Sequence, residues 1–223
     1  MTHDQETVIF TLDLNNKVER PKWISVRREK GMGNFWISDA EDESQTAVAR
    51  GVFKWGPGKD PRIRIGHNVE RDGKVIGLEG IEEAEIKTRW MTRTCTFAWK
   101  GRMWQWRYGD KAERQVVSEA IGEGCDDLLL LEEIGNEEKG KVRGKAVARL
   151  IRGAESRTPG TKRSHGGNGG RLEMALDDED EGGMTDIVVV TSLLVMLKRE
   201  VDRVRAGSAC ATRKFPIREP VFV

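Results

Sequence analysis

The sequence predicts a mainly β fold, a sandwich or barrel of short strands, followed by one buried helix near the C-terminus. Three observations carry this expectation. Through the first 150 residues, short apolar segments alternate with Gly, Asp and Pro turns, the spacing of an all-β chain rather than of βαβ units. Residues 95–108 alternate aromatic and other side chains on both sides of a Lys-Gly turn. Residues 187–197 are apolar on all sides, and a helix of that kind in a soluble chain must be surrounded by protein.

The elements run in order. Val8, Ile9 and Phe10 lead into Leu12 and Leu14, with a turn at Asn15 and Asn16. Trp23, Ile24, Ser25 and Val26 form the next apolar segment. Phe35, Trp36 and Ile37 run into an acidic turn at 39–43, then into Ala47, Val48 and Ala49. Val52, Phe53 and Trp55 are closed by Gly56, Pro57 and Gly58. Pro61 restarts the chain at Arg62, Ile63, Arg64 and Ile65, and Gly66 and then Arg71, Asp72 and Gly73 punctuate the next stretch.

The clearest hairpin places Phe97 and Trp99 before Lys100, Gly101 and Arg102, and Trp104 and Trp106 after them. A period of two puts these aromatics on one face of a pleated ribbon, and such a face needs a core beneath it. An internal echo is also visible. Phe35-Trp36-Ile37, an acidic turn and Ala47-Val48-Ala49-Arg50 match an apolar segment at 128–131, an acidic and glycine-bearing turn, and Ala146-Val147-Ala148-Arg149. It reads either as coincidence or as two related hairpins in pseudo-symmetric halves.

Residues 152–170 form a loop rich in glycine and basic residues. Its glycine cluster lacks the Gly-Lys-Ser/Thr ending of a phosphate loop. Leu172, Met174 and Leu176 alternate as a last short strand, and the acidic run at 177–181 is a solvated turn. Thr185 or Asp186 caps the helix, whose stripe of Ile187, Val190, Leu194 and Leu197 continues to Val201 and Val204. The alternative for its β-branched start is a strand. Basic residues crowd its end, which suits the negative pole of the helix dipole, and Gly207 marks the expected stop. A loosely held tail over 207–223 is expected on this reading.

Composition bounds the function. The chain has 223 residues, 37% hydrophobic, with a formal charge of +1. That supports one sizeable core, or at most two small ones, and excludes wholesale disorder and a uniformly basic nucleic-acid binder. Cys95, Cys125 and Cys210 have neither disulfide nor zinc-ligand spacing. The first residues lack the form of a secretory signal, and the 187–197 run falls well short of the ~20 residues of a spanning helix. A soluble protein of the cytoplasm, with the membrane periphery or the nucleus as further locations, is the expectation.

Catalytic signatures are lacking. His3, His67 and His165 lie in no nucleophile-elbow or metal motif, and the paired carboxylates are those expected of a chain that is one-third charged. No cofactor and no metal is expected. Charge is segmented, however. From residue 86 to 109 there are six basic residues, Lys87, Arg89, Arg93, Lys100, Arg102 and Arg107, and no acidic one, whereas residues 116–138 hold eight acidic residues and no basic one. Trp90, Trp99, Trp104 and Trp106 lie in the basic stretch. Basic residues interleaved with tryptophan can grip an anionic headgroup or stack bases. The plainer reading has the tryptophans inward and the cations outward in solvent.

Two sequence patterns add a resemblance. Phe97-x-Trp99-Lys100-Gly101-x-x-Trp104-x-Trp106-Arg107 is similar to an aromatic, Gly-turn, aromatic hairpin of the tubby C-terminal-like superfamily. Gly170-Arg171-Leu172-Glu173-Met174, followed by Asp186 and the apolar run to Met196, resembles the last strand and central helix of that superfamily, which includes the LURP-one-related proteins and phospholipid scramblases. The resemblance spans roughly residues 6–206 and implies one domain there, a closed antiparallel barrel of about twelve strands around a hydrophobic C-terminal helix. No motif anchors the phosphoinositide-binding basic residues of tubby proteins on this chain, and the scramblase calcium segment and membrane helix have no counterpart.

The expected function is therefore non-enzymatic binding of a partner protein or of an anionic, phosphoinositide-bearing membrane surface through Lys87, Arg89, Arg93, Lys100, Arg102 and Arg107. Nucleic acid is the weaker partner. The competing expectations are a carrier holding a hydrophobic ligand inside the barrel, and an enzyme whose site has no assignable residues.

Overall fold

The computed structural model describes residues 5–13, 18–27, 33–44, 46–54, 59–71, 74–89, 93–135, 144, 146–154, 169–175 and 184–211. The expected turns at 15–16 and 56–58, Trp90, the glycine-rich segment 155–168, the acidic run at 177–181 and the residues after 211 lie outside these.

The fold is mainly β. Strands β1 (Gln5–Asp13), β2 (Val18–Arg27), β3 (Phe35–Asp39), β4 (Ala47–Val52), β5 (Arg62–Arg71) and β6 (Lys74–Glu85) form one six-stranded antiparallel sheet. Strands β7 (Lys87–Arg89), β8 (Thr94–Trp99), β9 (Arg102–Tyr108), β10 (Asp127–Ile134), β11 (Ala146–Arg152) and β12 (Arg171–Met174) form the other. Spatial order equals chain order in both, so each sheet is a meander of hairpins. At their junction the Ile86 amide donates to the Pro61 carbonyl at 2.8 Å, and the Thr88 amide and hydroxyl donate to Asp60. Among the described residues no ladder joins the two sheets.

Helix α1 (Lys111–Ile121) interrupts the second sheet, and helix α2 (Asp186–Ala211) follows the strands. Every residue of α2 from 188 to 197 is buried. Consecutive burial over almost three turns means contact on all sides, and α2 shares one core with side chains of both sheets: Phe35, Ile37 and Ile63 from the first, Phe97, Trp106 and Leu131 from the second. Thr191 and Ser192, the polar breaks in this run, are satisfied inside it. The Thr191 hydroxyl donates to the Ile187 carbonyl, that of Ser192 to the Val189 carbonyl, and the Ser192 hydroxyl also accepts from Trp106 Nε1 at 3.0 Å. At the start of the helix, Lys22 of β2 donates to Asp186 at 2.5 Å.

The helix differs from expectation at its other end. It runs through Gly207 to Ala211, since a glycine within a helix costs only about 1 kcal/mol and does not by itself end one.

Helix α1 opens the acidic stretch, where the sequence pattern shows no element. Its start is a capping box, in which Asp110 accepts from the Glu113 amide at 2.9 Å and Glu113 accepts from the Asp110 amide at 2.8 Å. Gly122 ends it in the left-handed conformation at φ 70°. Its Val117 covers Leu128, Leu130 and Ile151 on the outer face of the second sheet, making a small second core.

The echo between the two hairpins is structural as well as sequential. In β3–β4, Phe35 faces Gly51, Trp36 faces Arg50 and Ile37 faces Ala49, after which a bulge at Val48 brings Ser38 opposite Ala47. In β10–β11, Leu129 faces Leu150, Leu130 faces Arg149 and Leu131 faces Ala148, and a bulge at Val147 brings Glu132 opposite Ala146. Register and bulge coincide residue for residue. The inner pairs differ in side-chain size: Phe35 with Gly51 in one, Leu129 with Leu150 in the other. Gly51 is required there, because a Cβ would sit 2.3 Å from the Phe35 ring.

Candidate functional site

The basic hairpin is β8–β9. Its turn consists of Lys100 at φ 48° and Gly101 at φ 77°, the pair of positive values of a two-residue turn whose twist matches the strands. Cys95 faces Trp106 and Phe97 faces Trp104. All four, with Trp99, are buried in the core that contains α2. The tryptophans thus point inward, and their part in this hairpin is to fill the core.

The cations separate into three groups. Arg107 lies in a carboxylate clamp, donating to Glu132 at 2.8 and 2.5 Å and to Glu113 of α1 at 2.8 and 2.7 Å. These bonds, Glu113 first, hold its guanidinium charged even more firmly than usual. Arg107 in turn keeps Glu113 below the usual carboxylate range. Arg107 therefore ties α1 to the sheet and is not presented outward.

Lys100 and Arg102 are partly exposed and pair with carboxylates of neighbouring strands. Lys100 lies 2.9 Å from Glu82 of β6, and Arg102 lies 3.7 Å from Glu133 of β10. Such pairs contribute about 0–1 kcal/mol each and exchange readily with an external anion. Lys87 and Arg93 are exposed. Arg93, at φ 52°, closes the β7–β8 connection at the opposite end of β8 from Lys100. Arg89 pairs with Thr94 in the ladder, and its side chain lies outside the described residues.

The segmental charge asymmetry has a structural cause. The basic strand β9 and the acidic strand β10 are neighbours in register, with Arg107 opposite Leu130 and Gln105 opposite Glu132. Arg102 and Arg107, two of the six cations of the basic stretch, reach the carboxylates of the adjoining strand, so part of the excess seen along the chain is neutralised across the ladder.

The interior offers little chemistry. Burial pushes the Cys95 thiol up to about 12, so it carries no thiolate near neutral pH. Cys125 is shifted upward too, again chiefly by burial. No group of three or more His, Cys, Asp and Glu side chains able to hold a metal occurs among the described residues. His3, His165 and the side chain of His67 lie outside these. A surface hollow of about 440 Å³ beside α1 is lined mainly by polar and charged side chains, among them Lys111, Arg114, Glu119 and Asp126. No described helix is long and apolar enough to cross a membrane.

The two working parts that sequence reasoning missed are α1 and the Arg107 clamp. The Asp110-x-x-Glu113 pattern with Gly122 was the available signal for the helix. Nothing in the linear sequence announces that Arg107 meets Glu132. Compared with family models, with curated proteins and with solved structures, the chain finds no match.

Proposed function

We propose that this chain is a non-enzymatic, tubby-like binding module that works through its outer surface, with its two sheets closing as a barrel around α2. The observation that carries the reading is the ten-residue buried span of α2, which shares its core with side chains of both sheets. A hydrophobic-ligand carrier needs that space for its ligand. The aromatic turn hairpin and the C-terminal helix, on which the resemblance to the tubby C-terminal-like superfamily rests, support the same reading.

The contact face is the outer side of β7–β9 and its turns, with Lys87, Arg93 and Lys100 presented to an anionic membrane surface, whereas Arg102 lies at the end of β9 on the same face as Trp104. Arg107 belongs to the scaffold. Basic groups near an anionic bilayer contribute about 1 kcal/mol each, which is comparable with the surface pair of Lys100 and Glu82 that Lys100 would exchange.

Co-sedimentation with phosphatidylcholine vesicles, with and without phosphatidylinositol bisphosphate, tests the proposal. The expected result is binding to the anionic vesicles alone, lost at high salt and weakened at least tenfold in the combined Lys87→Glu and Arg93→Glu variant. Equal binding by that variant, or no binding at low salt, overturns it.

A further inference from the structure

The outer faces of the two matched hairpins differ at one place, and the difference points to a second contact surface. In the second hairpin Arg149 of β11 stands opposite Glu173 of β12 and donates to it at 2.5 Å. In the first hairpin the corresponding residue, Arg50 of β4, stands opposite Arg64 of β5. Arg64 is already engaged, donating to Glu83 of β6 at 2.6 Å, and Arg62 donates to the same carboxylate at 2.6 Å. Arg50 therefore faces a cation where its counterpart faces an anion.

Three features hold Arg50 ready for an external carboxylate. Its guanidinium lies over the Trp36 ring at 5.0 Å, which fixes the plane while leaving the in-plane N–H groups available. Its Nε is buried and has no hydrogen-bond partner. It has no carboxylate partner among the described residues, and partial burial followed by the nearness of Arg64 disfavours its charge. A buried donor left unmade is costly, and a charge beside a like charge adds to that cost. An incoming carboxylate on the guanidinium offsets the second.

We propose that the outer face of β3–β5, centred on Trp36, Arg50 and Arg64, docks an acidic segment of a partner protein, one carboxylate of which takes the place that Glu173 holds beside Arg149. The internal precedent for the occupant is a carboxylate on a neighbouring strand. Trp36, with Val26 opposite it on β2, gives the adjoining apolar contact. This surface lies on the other sheet from the β7–β9 face and does not depend on it.

The test is fluorescence polarisation of the full chain with a labelled peptide of alternating glutamate and valine, at low salt. The expected result is saturable binding, weakened at least tenfold by Arg50→Gln and several-fold by Arg50→Lys, which keeps the charge and loses the fork. Lys87→Glu, on the other sheet, should leave it unchanged. The exchange Arg64→Glu with Glu83→Arg supplies Arg50 with an internal carboxylate, and it should abolish peptide binding while circular dichroism shows the chain still folded. Undiminished binding by Arg50→Gln, or by the exchange variant, overturns the proposal. So does Arg50-dependent binding of inositol hexakisphosphate or of anionic vesicles that the peptide fails to displace.

Discussion

The β3–β4 and β10–β11 hairpins share their ladder and their bulge, yet inside and outside they diverge in different ways. Inside, the same register is filled differently: a large ring over a glycine in one, two leucines in the other, both in the core that holds α2. Outside, Trp36, Arg50 and Arg64 stand where the second hairpin has Leu130, Arg149 and Glu173. Core packing tolerates little change in volume, so the inner pairs are constrained jointly. The outer pairs have no such constraint, and their differences are where the two halves can differ in task.

The largest expected effect removes the surface both hairpins cover. Leu194→Asp places an uncompensated charge in the common core, and loss of soluble, folded protein is expected, with destabilisation well above ~4 kcal/mol. A well-folded variant with an unchanged melting temperature would contradict the enclosure of α2.

The next effect tests whether each inner pair is fitted jointly to its own part of the core. Leu150→Ala leaves a cavity and should cost about 2–5 kcal/mol in urea unfolding. Gly51→Ala overpacks against Phe35 and should cost about 1–3 kcal/mol. Adding Phe35→Leu to Gly51→Ala moves the first hairpin toward the second and should restore part of the loss. Strict additivity in that double-mutant cycle would break the comparison.

A third effect separates the residues just past the bulge. Ser38 and Glu132 are both buried, but only Glu132 carries a charge, and Arg107 neutralises it. Arg107→Met leaves that charge uncompensated and should cost about 3 kcal/mol, whereas Ser38→Ala should cost under about 1 kcal/mol. The pH profile sharpens this. Glu113 is held below its unfolded value, so its contribution is present above about pH 4.3 and is lost as the pH falls through the folded value. Urea midpoints should therefore drop on the acid side in the native chain, and less steeply in Arg107→Met. Parallel profiles would count against the clamp.

The smallest effect lies on the outer faces. Arg149→Gln breaks a half-exposed pair and should cost no more than about 1 kcal/mol, while Arg50→Gln should be neutral or slightly stabilising, because it removes a cation that faces another. Thermal melts of the two variants decide it. A larger loss in Arg50→Gln would mean that the first hairpin is already neutralised.

Legibility in the sequence is local. Alternation of aromatics around Lys100 and Gly101 marks β8–β9, and the unbroken apolar run marks α2. The echo at Ala47 and Ala146 marks the matched hairpins. Strands β6 and β7 read only as a punctuated stretch, because Lys74–Glu85 and Lys87–Arg89 are rich in charge and glycine and draw their stability from β5 and β8. Helix α1 has a single buried side chain, Val117, too little for a periodic stripe. The candidate cations do cluster along the chain. Their roles depend on cross-strand register with Glu82, Glu113, Glu132 and Glu133, a property of the fold that spacing along one segment does not contain.

The position of α2 after the twelve described strands sets the order of assembly. During synthesis Phe35, Ile37, Trp104 and Trp106 leave the ribosome before the helix that covers them, so the strands cannot reach their final packing as they emerge. The nascent sheets carry exposed apolar faces and unpaired edges until residues 186–197 arrive, a state open to aggregation and to chaperone binding. A ribosome stalled just before Asp186 would hold a chain with nearly all of its strands and none of its centre.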